Sequence, residues 1–260
     1  MRDLVMRIVL HFTCLLIFSL IPIWAFSAER GFSFAVPPYA NPVSIQQQYK
    51  PLVDYLAQTI NIPIRLTISP NYISHVMNLG RGKVDIAFVG PSPYVRAKDK
   101  FGNIELLAKF QMKESINDRV VIVARSDGDI KTLDDIDNST FAFGDYQSFG
   151  SHFMPHYILN QHGLSLKALT AYDYVGSHDN VALSVLHGDF DAGGLRFDIF
   201  QKYQNRALRI IFGPVAISPH VLVCRSDLPA TQKKALRQAL LNLDQKDVLR
   251  AINKSMIGFA

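Results

Sequence analysis

Strand-length apolar runs alternate with amphipathic, helix-length stretches from residue 32 to the end of the chain. This order restricts the fold more than any other feature. The run Phe32-Ser33-Phe34-Ala35-Val36 is stopped by Pro37-Pro38. Residues 44–60 put Tyr49, Leu52, Val53, Leu56 and Ile60 on one stripe, which predicts a helix with Ser44 as its N-cap. A strand over 62–68 and a short helix over 72–79, closed by Gly80, follow. Residues 84–89 are almost wholly apolar, as a strand covered on both faces requires. Gly90-Pro91-Ser92-Pro93 ends that strand and opens a helix through Lys98, and residues 104–110 return as a strand.

After a polar joint at 113–118 the pattern resumes. Strands are expected over 119–124, 140–144, 171–175, 190–193 and 208–212, the last ended by Gly213-Pro214. Helices are expected over 132–136, 152–161, 178–186 and 197–203. A strand over 221–224 and helices over 231–243 and 246–256 close the chain. Such alternation predicts an α/β fold with mainly parallel sheets flanked by helices. The joints at 113–118 and 213–219 divide it into one lobe of residues 29–112 with 219–260 and another of 113–218. A ligand cleft is expected between them, where helices begin at the carboxyl ends of strands.

The N-terminus reads differently. Arg2 and Arg7 precede an apolar stretch from Ile8 to Phe26, which ends in Ala25-Phe26-Ser27-Ala28. A basic start, an apolar middle and small residues at the end predict a cleaved export signal over 1–28, with an uncleaved anchor as the alternative. Cleavage leaves a secreted mature chain of about 232 residues. Of the two cysteines, Cys14 leaves with the signal, so Cys224 has no partner for an internal disulfide. It sits beside Val221-Leu222-Val223 and is expected to be a small buried hydrophobe. Removing 1–28 takes two Arg and one Asp from 27 basic and 22 acidic residues, leaving a net charge of +4. The basic residues are scattered, which argues against nucleic acid as a partner.

Three strand-to-helix turns carry hydroxyls where main-chain N–H groups are free: Gly144 to Ser151, Gly90 to Tyr94, and Gly176 to Asn180, which places His178 at a helix start. Repeated hydroxyl-rich helix starts suit a small anion held by neutral donors and helix dipoles. Enzyme signatures are absent: no Gly-x-Ser-x-Gly elbow, phosphate-binding Gly-x-x-x-x-Gly-Lys loop or His-Glu-x-x-His occurs. His152 and His156 stand four apart with Pro155 between them and no third ligand at useful spacing, so no metal is expected.

Four segments carry a resemblance. Pro70-Asn71-Tyr72, Val84 through Pro91, Phe143 through Pro155, and Gly176 through Leu183 resemble, in order, the periplasmic phosphate/phosphite/phosphonate-binding proteins of ABC transporters. The likeness runs from about residue 31 to about 257 and implies the two-lobed type II periplasmic binding protein fold. It implies that Tyr72 reaches the ligand, that Ser148 opens the anion loop and that His178 contacts the phosphonate. The loop departs from the family pattern at Phe149, Gly150 and Ser151, and the region around Asn117 differs as well. Asp198 is acidic where some members hold an aminoalkyl group, and Arg196 beside it is placed to meet an anion.

The expected ligand-binding set is therefore Tyr72, Ser92, Tyr94, Ser148, Gly150, Ser151, His178 and Arg196, without catalytic residues, metal or cofactor. The expected protein is a monomeric solute-binding component for a small phosphorus oxyanion, partnered by a membrane permease. The alternative is a sensing protein that presents its bound anion to a membrane receptor kinase.

Overall fold

The computed structural model describes residues 31–113 and 119–260. The expected export signal at 1–28 and the position Asn117 lie outside the described residues. Strands β1 (Phe32–Val36), β2 (Ile64–Ile68), β3 (Ile86–Val89) and β4 (Ile104–Met112) alternate with helices α1 (Pro42–Ile60), α2 (Tyr72–Gly80) and α3 (Pro91–Phe101). The next elements are β5 (Arg119–Arg125), β6 (Thr140–Phe143), α4 (Met154–Gln161), β7 (Ala171–Tyr174), α5 (His178–His187), β8 (Ala192–Arg196), α6 (Phe197–Tyr203) and β9 (Leu208–Ala216). The last are β10 (Val221–Arg225), α7 (Ala230–Leu241), α8 (Lys246–Ile252) and β11 (Met256–Phe259).

The strands form two sheets, one ordered β11-β4-β10-β3-β1-β2 and one ordered β7-β6-β8-β5-β9. Each sheet with its helices is one lobe of the α/β fold. Strand direction is mixed rather than mainly parallel. β1 runs parallel to β2 and β3, and β6 runs parallel to β7 and β8. By contrast β10 is antiparallel to β3 and β4, β11 to β4, and β5 to β8 and β9. The parallel strands are those that helical crossovers join, and such crossovers fix direction. β5 and β10 each follow a passage of the chain from one sheet to the other, so the crossover rule within one sheet does not set their direction.

Period-two alternation assigns the faces. In the first lobe Phe34, Val36, Ile86 and Phe88 point toward α1, α7 and α8, whereas Ala35, Ala87 and Val89 point toward α2 and α3. In the second lobe Phe141, Phe143, Val120 and Ile122 pack on α4, while Val121, Val123 and Leu195 pack on α5 and α6. Cys224 is fully buried in the first of these cores.

Three local expectations are corrected. Asn41 rather than Ser44 caps α1, its side chain accepting from the Ser44 N–H at 2.9 Å, with Pro42 at the first helical position. The last helix stops at Ile252, and Met256–Phe259 forms an edge strand on β4. β9 continues through Gly213-Pro214, joined by a cis peptide, to Ala216. Proline is admissible there because β9 lies at the sheet edge and its register against β5 shifts at this point.

Candidate functional site

Four helix starts face one another between the sheets. Asn71 caps α2 by accepting from Ser74 N–H at 2.7 Å, and Ser177 caps α5 by accepting from Asn180 N–H at 3.1 Å. Ser148 accepts from Ser151 N–H at 3.2 Å and opens a single π-turn, Phe149–Phe153, that runs into α4. With Asn41 this makes four side-chain caps around the cleft, each satisfying a donor that the helix end leaves open. Main-chain contacts hold the two sides together. His178 N–H donates to the Tyr39 carbonyl at 3.1 Å, and Asn41 N–H donates to Asp179 Oδ2 at 2.9 Å.

Inside this closure lies a cavity of about 20 Å³. The first lobe contributes Tyr39, Tyr72, Phe88, Gly90 and His220, and the second contributes Ser148, Phe149, Gly150, His178 and Arg196. Of the residues expected from sequence, Tyr72, Ser148, Gly150, His178 and Arg196 are brought together here. Three are not in its wall. Ser92 is half-buried between the wall residues Pro91 and Pro93. Tyr94 packs on the core formed by Val76, Leu79 and Ala97. Ser151 is fully buried, but its hydroxyl faces Gly144, where an added Cβ would sit 2.1 Å from it. Gly150 has a comparable steric role at the wall itself, since a Cβ there would lie 3.2 Å from Arg196 Cγ and 3.4 Å from His178 Cε1. Tyr39, Phe149 and His220 were not singled out from sequence as ligand-facing. Tyr39 follows Pro37-Pro38 at the end of a strand, a signal that was available, whereas nothing local distinguishes His220.

Hydrogen bonding settles the tautomer of His178. Its Nδ1 accepts from the Arg196 main-chain N–H at 3.0 Å, so in the neutral ring the proton sits on Nε2. Burial, followed by the charges of Arg196 and His220, holds this imidazole well below its ordinary pKa. His178 is thus a neutral donor whose Nε2 is 3.4 Å from Ser148 Oγ, too long for a good bond. The Tyr72 hydroxyl lies near Ser148, and burial followed by the nearby Asp145 charge raises its pKa well above the usual phenol value. It therefore keeps its proton. Arg196 brings a guanidinium to the wall. Asp198 grips it through Nε to Oδ1 at 2.9 Å and through Nη2 to Oδ2, and its guanidinium lies 5.1 Å from the Tyr39 ring centre. Burial pushes the Tyr39 hydroxyl up to about 12. The wall so built offers O–H and N–H donors, a cation neutralised by its own carboxylate, and aromatic surface. It can bind an anion, and it presents no activated nucleophile.

His152 and His156 form no metal site. Their rings stack at 5.9 Å, and both nitrogens of His152 are occupied by the Tyr146 carbonyl at 2.8 Å and the Tyr174 hydroxyl at 3.0 Å. Among the described residues no group of three or more His, Cys, Asp or Glu side chains could hold a metal ion.

Solved structures share this architecture. A Prochlorococcus marinus protein in complex with methylphosphonate matches at a TM-score of 0.80 and 23% identity, over 89% of this chain and 92% of that one. A binding protein component of an ABC phosphonate transporter from Pseudomonas aeruginosa matches at 0.79 and 21% identity, over 88% and 80%. The fold is that of the two-lobed type II periplasmic binding proteins. Among curated relatives, a probable ABC transporter phosphite binding protein of Prochlorococcus marinus is 24% identical over 193 residues. That match covers 72% of this chain, and the chain spans 65% of that relative's length. The phosphonates-binding periplasmic protein of Escherichia coli is 21% identical over 89% of this chain and 71% of its own length. Residues 34–260 match the family described as ABC transporter, phosphonate, periplasmic substrate-binding protein, and the chain belongs to it. It is a family of substrate-binding proteins rather than enzymes.

Proposed function

We propose that this protein is the periplasmic solute-binding component of an ABC transporter for a small phosphorus oxyanion, working with a membrane permease. The observation that carries the reading is the convergence of neutral donors from both lobes, Tyr72 from one and Ser148 and His178 from the other, on one enclosed cavity. A buried anion held by several such bonds needs no opposing formal charge, because each charge-assisted hydrogen bond is worth roughly 1.5–3 kcal/mol. Ligands named for the relatives, phosphite and methylphosphonate, are of this kind.

Capture follows from donors on both sides: an anion that touches both lobes favours the closed arrangement by its differential affinity. The chain passes between the sheets after β4 and again after β9. We assign the hinge to these two passages, with 29–112 plus 219–260 moving against 113–218. Export through cleavage within residues 27–29, and a monomeric state, complete the proposal. Calorimetric titration with phosphite, methylphosphonate and phosphate tests it. At least one is expected to bind with a simple 1:1 isotherm and to reduce the radius of gyration in small-angle scattering. Failure of all three to bind refutes it.

A further inference from the structure

The size of the cavity and the charge on its wall restrict what can enter, on the reading that the site holds a phosphorus oxyanion. A volume of about 20 Å³, measured as the space open to water centres, equals a sphere of roughly 1.7 Å radius. Adding the water radius of about 1.4 Å puts the wall roughly 3.1 Å from the centre. That is close to the reach of one tetrahedral oxyanion from its central atom to the outer edge of its oxygens. A hydrogen on the central atom fits within that reach, a methyl group presses on the wall, and a chain of several atoms has no room. The wall that such a chain would meet is stiff, because Phe88 and His220 are stacked at 4.8 Å and nearly parallel, and Tyr39 is pinned under Arg196.

Outside the closure lies a wider groove of about 430 Å³ bordered by Asn41, Asn71, Asp145, Ser177, Asp179 and Tyr203. Its two carboxylates are the natural seats for a cationic tail, and both are engaged. Asp145 accepts from the Gln147 main-chain N–H at 2.7 Å. Asp179 accepts from Asn41 N–H, Lys202 Nζ and the Tyr203 hydroxyl, each at 2.9 Å. A tail reaching them would have to break these contacts. Arg196 lines the cavity and Asp198 does not, and Asp198 spends both oxygens on Arg196, so an ammonium group in the cavity meets a guanidinium rather than a free carboxylate. The Arg196–Asp198 pair turns its positive end to the cavity, so an ammonium there meets that end and gains no carboxylate of its own.

We propose that the site accepts a compact tetrahedral oxyanion carrying at most one small uncharged substituent, and that Arg196 is the specificity residue that rejects ammonium-bearing ligands. Calorimetric titration of the mature protein with phosphite, methylphosphonate and 2-aminoethylphosphonate tests this. 2-Aminoethylphosphonate is expected to bind at least about 30-fold more weakly than the better of the other two, a difference of about 2 kcal/mol. A smaller gap overturns the inference and leaves the oxyanion function standing. Absence of binding by all three, and by phosphate titrated beside them, overturns the function itself. The charge-neutral double variant Arg196→Met with Asp198→Asn avoids stranding a buried charge. In it the gap is expected to narrow about tenfold. A gap that stays the same assigns the selectivity to cavity size and removes Arg196 from the role.

Discussion

Two buried histidines in this protein share a protonation state and differ in what their nitrogens do. His75, on α2, is 1% exposed, and burial lowers its pKa to about 4. Its Nδ1 is bonded to the Ser69 hydroxyl and its Nε2 to the Phe88 carbonyl, both at 2.9 Å. Both partners lie in its own lobe, so nothing is left to offer a ligand. His178, 2% exposed at the start of α5, is neutral as well, but only its Nδ1 has a close partner. Its Nε2–H points at a cavity shared by both lobes, where Ser148 stands 3.4 Å away. Burial and a depressed pKa therefore do not mark a binding residue. An underused donor facing an enclosed space does.

The comparison breaks most visibly at His75. His75→Leu strands the Ser69 hydroxyl and the Phe88 carbonyl in the core, and each unsatisfied group costs about 1–3 kcal/mol. A loss of about 3–5 kcal/mol is expected, which in a chain of this size lowers the melting temperature by roughly 6–20 °C. Affinity for the oxyanion in the folded fraction should stay within about twofold. A variant with normal melting and lost binding would reverse the roles assigned to the two rings.

Acid titration sharpens the same contrast. The unfolded His75 takes up a proton near its ordinary value of 6.5, whereas the folded ring resists until about 4. Its contribution is therefore fully present above pH 6.5 and is lost as the pH falls toward 4, amounting to about 3 kcal/mol. His178, depressed in the same direction, adds to the slope. Urea unfolding at pH 7.0, 6.0 and 5.0 should show stability falling with pH, and the fall should be shallower in His75→Leu. Equal slopes in the parent and the variant would mean that His75 is not held neutral.

His178→Ala comes next in size. Loss of one donor from the anion is expected to weaken binding about 10- to 100-fold, or roughly 1.4–2.8 kcal/mol. Because the ring also accepts from Arg196 N–H and is buried, some melting temperature is lost with it. Calorimetry beside thermal unfolding separates the two effects. Unchanged affinity would place the anion elsewhere.

How much of this was legible beforehand depends on whether a residue's role is set locally. The wholly apolar run through Ile86–Val89 and the Gly90-Pro91 stop announced a buried strand feeding a helix, and the chain folds so. Strand direction was not legible for β5 and β10: the joints at 113–118 and 213–219 mark where the chain leaves a lobe, but not which way the next strand runs. Met256–Phe259 was lost because the helical stripe before it ran on in phase, while its partner β4 lies far away in sequence. At the site, Ser148 and Ser151 look equivalent on paper. Which hydroxyl meets the cavity depends on the π-turn between them, which rotates Ser151 toward Gly144. His220 joins the wall only because β10 returns to the first sheet beside β3.

The smallest effect is the most discriminating. Tyr72→Phe removes one oxygen and keeps the ring that fills the wall, so folding stability should change by less than about 1 kcal/mol. The hydroxyl is the donor that the first lobe contributes beside the Ser148 and His178 groups of the second. Burial keeps it protonated, so it donates at any pH at which the protein is folded. Its deletion is expected to weaken oxyanion binding by about 5- to 15-fold, or about 1–1.5 kcal/mol. The variant should also compact less in small-angle scattering at a fixed, subsaturating ligand concentration, because closure draws on contacts from both sides. If calorimetry instead returns the parent affinity, the donor set reduces to Ser148 and His178 on one lobe. The anion could then bind equally well to an open cleft, and the contrast between a self-satisfied histidine and a ligand-facing one would hold without closure having any part in it.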